Sequence, residues 1–173
     1  MSEASTKVVC DAGPLIHLNE LGSISLLSDF DEVIVPEQVW KEVAHHGPNA
    51  LVQSNAKLTK VNVTISSNAP FQALLKSLSL DLGEQAALTL MENFPGGILL
   101  TDDAAARLAA VTLGYKVHGT IGVLIRAIRR QQKSKEEILT ILGDIPSSST
   151  LYIRQGLLKE IINRVENETV ICK

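Results

Sequence analysis

With 173 residues, 45% of them apolar, 20% charged, a net charge of −3 and only 11 glycines and 6 prolines, the chain falls outside the disordered, collagen-like and low-complexity classes and predicts one domain, or one domain with a small appendage. Its two cysteines, Cys10 and Cys172, are too few for the disulfide framework of a small secreted domain and lie at no zinc-ligand spacing, so both read as free thiols in a reducing cytosol. The opening MSEASTKVVCDAG lacks the basic-then-apolar order of a secretory signal, and no apolar run approaches the roughly 20 residues of a membrane-spanning helix, which predicts a cytoplasmic protein without membrane contact.

The first predicted element is a β-branched strand over residues 7–10, ending at Asp11 and followed by Ala12-Gly13-Pro14 and a helix with Leu15, Leu18 and Leu21 on one side. Residues 32–35 read as a second strand. Pro36 and Glu37 then open a helix whose stripe is Val39, Trp40 and Val43. His45-His46-Gly47-Pro48-Asn49 reads as a loop, and the alternation over 61–65 as a further strand. Leu74, Leu75 and Leu78 mark a helix. Another opens at Asp81-Leu82-Gly83-Glu84 and runs to Met91, before Pro95-Gly96-Gly97.

Residues 98–101 form the next predicted strand, followed by Asp102-Asp103 and a helix closed by Gly114; residues 115–118 form another, with a helix over 121–132. Strands alternating with helices at this spacing imply a parallel sheet, because parallel neighbours need helical crossovers. Beyond residue 133 the chain reads as helix only: a capping box at Ser134-Lys135-Glu136-Glu137, a link at Pro146-Ser147-Ser148-Ser149-Thr150, and a last amphipathic helix from Leu151 to Val165. Residues 1–124 carry 13 acidic and 7 basic side chains, and residues 125–165 carry 4 and 8, so acid and base are segregated along the chain. A basic block of this kind attracts phosphate or is a solvated helix face.

In an open parallel sheet the functional crevice lies outside the carboxyl ends of the strands. Asp11 ends the first strand, and Asp102 and Asp103 end a later one. Each has a local alternative: Asp11, Asp102 and Asp103 as helix caps, Asp103 with Arg107 as an i, i+4 pair, Glu84 with Asp81 as a capping box, and Glu42 as an exposed border residue. Gathered at one edge, however, carboxylates repel one another, and such a cluster persists when a cation neutralises it or a member binds a proton. All-oxygen ligands select a hard ion, Mg²⁺ or Mn²⁺, whose natural chemistry beside phosphate is phosphodiester cleavage. The histidines His17, His45, His46 and His118 are scattered; His118 ends a strand on the functional edge and is kept as an auxiliary group.

Five segments, VVCDAGPLIHL, VPEQVWKEV, LDLGEQAALTL, LLTDDAAARLAAVTLGYKV and HGTIGVLIRAIRR, together resemble the PIN-domain superfamily of metal-dependent ribonucleases, and within it the prokaryotic branch similar to VapC-type toxins, over residues 7–145. The resemblance implies a three-layer αβα fold with a mainly parallel central sheet, a domain at 1–145 and a helical extension at 146–173 packed on it. It also implies an endoribonuclease using Mg²⁺ or Mn²⁺, with Asp11, Glu42, Glu84 and Asp102 or Asp103 as the acidic quartet. The family's Thr-x-Asp turn favours Asp103, with Asp102 as an extra ligand. Thr101 and Thr120 are expected to orient water or phosphate, and capping is the alternative for Thr120. Arg107, Arg126, Arg129 and Arg130 are the nearest groups for RNA phosphates or an acidic partner. A homodimer and a small antitoxin that blocks the crevice are implied partners.

Two rival functions arise from the same residues. A phosphotransferase of the haloacid-dehalogenase type would use Asp11 as nucleophile, but it wants a second acid two residues later, where Gly13 stands. A catalytically weak binding or scaffold module would keep the fold without the chemistry.

Overall fold

Alternation along the strands builds two apolar layers. In β1 (Lys7–Cys10), Val8 and Cys10 enter one layer and Val9 the other; in β2 (Glu32–Pro36), Val33 and Val35 oppose Ile34. In β4 (Ile98–Leu100), Leu100 joins the first layer and Leu99 the second. Strands that bury both faces must lie in a sheet covered on both sides. The computed structural model, which describes residues 6–167, has such a sheet: with β3 (Leu58–Val61) and β5 (Lys116–His118), its five strands run parallel throughout in the order β3-β2-β1-β4-β5.

The helices in chain order are α1 (Ala12–Glu20), α2 (Glu37–His46), α3 (Asn49–Gln53), α4 (Ala69–Ser77), α5 (Leu82–Met91), α6 (Ala104–Thr112), α7 (Thr120–Arg129), α8 (Lys135–Ser148) and α9 (Gln155–Asn167). Leu15 and Leu18 of α1, Leu124 of α7, Leu142 of α8 and Leu158 of α9 fill the first layer. Leu75 of α4, Leu88 of α5 and Ala109 of α6 fill the second. From β1 the chain moves outward through β2 to β3, then crosses back to place β4 on the other side of β1. The order therefore reverses between β1 and β4, and the carboxyl ends of these two strands flank the switch point where such sheets bind ligands.

Several sequence expectations shift in position. The strand expected over 61–65 lies at Leu58–Val61, because its partner β2 ends at Pro36 opposite Val61; Val63 and Ile65 instead pack against the second layer. His45 and His46 close α2 rather than forming a loop, and the helix stops only where the Gly47 amide bonds back to the Val43 carbonyl at 2.8 Å. Pro146 lies inside α8 and not in a link: it removes one helical donor, but fully buried Leu142 and Ile145 hold the turn in place and the helix continues to Ser148. The last helix begins at Gln155, so residues 151–154 are a connector. Cys10 is a free, buried thiol, and Cys172 lies outside the described residues. Among the described residues no helix is long and apolar enough to cross a membrane.

The edge of the sheet opposite the switch point is tied by Glu32. Lys7 of β1 pairs with it at 2.9 Å and Thr59 of β3 donates to it at 2.7 Å, so one carboxylate links three strands. The Lys7 and Thr59 bonds, reinforced by the Lys57 charge, lower its pKa from 4.5 to about 2. A depressed folded-state pKa adds stability that is complete above the ordinary value and disappears as pH falls towards the folded one. Glu32→Gln is therefore expected to melt about 2–4 °C below the native protein at neutral pH, with the gap closing between pH 4.5 and about 2. Thermal denaturation across that range checks it.

Candidate functional site

The turn after β4 places its side chains through backbone bonds to both neighbouring strands. Asp11 N donates to the Leu100 carbonyl and Thr101 N to the His118 carbonyl, each at 2.9 Å, so the ends of β1, β4 and β5 are held level. Thr101, fully buried, donates its hydroxyl to Asp11 Oδ2 at 2.9 Å, and its Oγ1 accepts the Asp103 amide at 3.2 Å. One threonine thus fixes Asp11 and the Asp103 turn together. Asp103 caps α6, its Oδ1 accepting Ala106 N at 2.8 Å.

Asp102, one residue earlier, turns the other way. Its Oδ1 accepts Thr120 N at 2.7 Å, and its Oδ2 accepts the Thr120 hydroxyl at 2.6 Å and lies 2.7 Å from His17 Nδ1. It therefore clamps the start of α7 to α1. Gly119 makes this clamp possible, since a Cβ there would stand 2.6 Å from Asp102 Oδ1 and 3.2 Å from the Thr101 carbonyl. Arg107 adds a bond from Nη2 to that same carbonyl at 3.1 Å, which is where its side chain reaches in place of an Asp103 pair.

The third contribution comes from α5. Asp81 and Glu84 form a complete capping box, with Asp81 Oδ1 accepting Glu84 N at 2.8 Å and Glu84 Oε2 accepting Asp81 N at 2.9 Å. Glu42 of α2 lies alongside, its Oε2 3.4 Å from where a Gly83 Cβ would be. Asp11, Glu42, Asp81, Glu84, Asp102 and Asp103 line a single crevice of about 500 Å³, completed by His17 and by Thr150, Leu151 and Tyr152 of the α8–α9 connector. Among its described lining residues there is no Lys or Arg.

The charges register this. Burial is the main force pushing Asp11 up to about 6 against its hydrogen bonds from Ala12 and Thr101, with Asp81 and Glu42 adding repulsion. Burial again leads in raising Glu84 to about 7, followed by the Asp81, Asp103 and Asp11 charges after its opposing bond from Asp81. Glu42 is raised by burial and then by Asp81. The capping reading of Glu84 and its place in the crevice are both true: one oxygen caps, and Oε1 keeps no intramolecular hydrogen bond.

Several expectations for individual residues change here. Thr101 and Thr120 do not present free hydroxyls to a substrate, because both are fully buried and donate to Asp11 and Asp102. Arg126 and Arg130 do not line the acidic crevice; one turn apart on the same helix face, both pair with Asp29, at 2.6 and 2.7 Å. Asp102 has both oxygens engaged in the clamp. His17, Asp81 and Tyr152 were not picked out from the sequence as site residues. His17 was findable, since it follows Asp11 by six residues on the helix that leaves the first strand; Tyr152 carries no signal before the connector is folded.

Asp11, Glu42, Glu84 and Asp103 offer oxygen alone, with Asp103 Oδ2 and Glu84 Oε1 unbonded, which suits a hard divalent ion. Among the described residues no three His, Cys, Asp or Glu side chains close on one point as a ready-made chelate.

Two outcomes follow. A folded-state pKa of about 6 for Asp11 means that its charge weakens the fold fully above that pH and ceases to do so below 3.8. Asp11→Asn is expected to melt a few degrees above the native protein at about pH 8 in EDTA, the difference vanishing as pH falls below about 4. Gly119→Ala is expected to lower stability by about 1–3 kcal/mol, read from urea midpoints, because the added methyl overpacks the Asp102 clamp.

No curated protein matches the chain. The family model DUF3368, a PIN domain, matches residues 7–167, which takes in the two C-terminal helices as well as the sheet. The chain therefore belongs to the PIN-domain family.

Proposed function

We propose that this PIN domain is a divalent-metal-dependent endoribonuclease. The observation that carries the reading is the convergence of carboxylates from four separate stretches of chain on one crevice without a lining cation. Mg²⁺ or Mn²⁺, when bound, supplies the positive charge that these groups lack, activates water and stabilises charge on the phosphate. Asp11, Glu84 and Asp103 are the residues that would hold it, in part through the ion's own waters. Thr101 keeps Asp11 turned to the crevice, while the capping box fixes Glu84 at the start of α5. Among the described residues none hydrogen-bonds Glu42, and burial together with Asp81 raises its affinity for a proton, so its carboxylate is suited to take one from an attacking water. Asp102 acts through the clamp and positions the turn instead of touching substrate.

Cleavage of a structured RNA by the purified protein is expected with Mn²⁺ and absent in EDTA. Asp11→Asn and Asp103→Asn are each expected to reduce the rate by about a hundredfold or more. Equal, metal-independent activity in native protein and Asp11→Asn would overturn the reading. RNA binding without cleavage under any divalent ion would leave the binding-module alternative in its place.

A further inference from the structure

The acidic crevice opens on its Asp102 side into a second groove of about 290 Å³, which shares Asp102, Leu151 and Tyr152 with it. Val117, Ile121, Ile153 and Leu157 form apolar walls, and Arg107 and His118 lie among them. Tyr152 stands where the two meet and is 87% exposed. The backbone just before it is anchored: Ser149 Oγ, Thr150 N and Thr150 Oγ1 donate to the Glu20 carboxylate of α1 at 2.8, 2.7 and 2.9 Å, and Leu151 N donates to Ser149 Oγ at 3.1 Å. An exposed aromatic ring next to an anchored stretch of backbone offers a flat face on which a base can stack.

Charge changes sign along this path. Arg126, Arg107, Arg129 and Lys116 surround His118, and partial burial followed by these four cations holds its imidazole below the ordinary value. Arg126 is paired with Asp29, whereas Arg129 is exposed and lines a smaller hollow with His118 and Gly122 that continues the groove. Carboxylates therefore lie on one side of Asp102 and cations on the other. An apolar slot lined by an exposed aromatic ring and by Arg107, and continued by a hollow that Arg129 lines, matches a nucleotide with its base unstacked, which a duplex does not offer.

We propose that this groove binds the nucleotide adjoining the scissile bond in single-stranded RNA, its base stacked on Tyr152 and its phosphate met by Arg107 and Arg129. The α8–α9 connector is then part of the substrate site. The identity of the polymer rests on the ribonuclease reading, and the test separates the two.

A short single-stranded RNA carrying one 2-aminopurine is titrated with the full chain in calcium buffer, following anisotropy for affinity and 2-aminopurine quenching for stacking. Native protein and Tyr152→Phe are expected to bind and quench alike. Tyr152→Ala is expected to bind about tenfold more weakly and to lose the quench, while circular dichroism shows it folded. Arg129→Ala is expected to reduce the slope of log affinity against log salt by about one while keeping the quench. Native-level binding and quenching by Tyr152→Ala would overturn the subsite, as would failure of the native protein to bind the RNA. Binding and quenching as expected, with no cleavage in Mn²⁺, would uphold the subsite and overturn the nuclease reading alone.

Discussion

Carboxylates brought to one crevice from β1, α2, α5 and the turn after β4 repel one another, and much of the local architecture holds them there. None of the described lining residues answers them with a Lys or Arg. The opposition is met by positioning: Thr101 grips Asp11, the capping box fixes Glu84, and Asp103 is held by its role at the start of α6. Each device is a hydrogen bond to a carboxylate, of the charge-assisted kind that is stronger than a neutral pair. The raised proton affinities of Asp11, Glu42 and Glu84 come first from burial and then from a repulsion that these bonds leave in place.

The same separation of charge organises the rest of the molecule. A net charge of −3 conceals an acidic first part and a basic late block, and folding brings Arg126 and Arg129 of that block together with Arg107 and Lys116 of the first part on the side of Asp102 away from the carboxylates. Asp29 takes up Arg126 and Arg130, so the cations left at the groove are fewer than a count of the α7 face suggests. Glu20, in the acidic part, does a different job: it faces neither a metal site nor a cation but anchors the connector that carries Tyr152.

Much of this was legible before folding. Short β-branched runs ended by Asp and followed by helical periodicity specify a parallel sheet and the edge where its acids collect, because both depend on local pattern and on a general rule of topology. What the sequence conceals depends on contacts distant in the chain. The strand at Leu58–Val61 is set by where β2 ends, not by its own alternation. Pro146 reads as a stop, yet two buried neighbours carry α8 through it. Thr101 and Thr120 look like groups for substrate because their hydroxyls carry no mark of the carboxylates 90 and 18 residues away that they serve. Arg126 and Arg130 look available for the same reason, with Asp29 about a hundred residues upstream.

The doubled aspartate shows how neighbouring identical residues separate in role. Asp103 enters helix geometry as a cap, which binds one oxygen to Ala106 N and leaves the other unbonded at the crevice. Asp102, one residue before, is directed towards α1 and α7. There Gly119 lets the chain come close enough for both its oxygens to be engaged. Two acids in a row are thus no redundancy: the second offers charge to the site, and the first fixes the frame that holds the second in position.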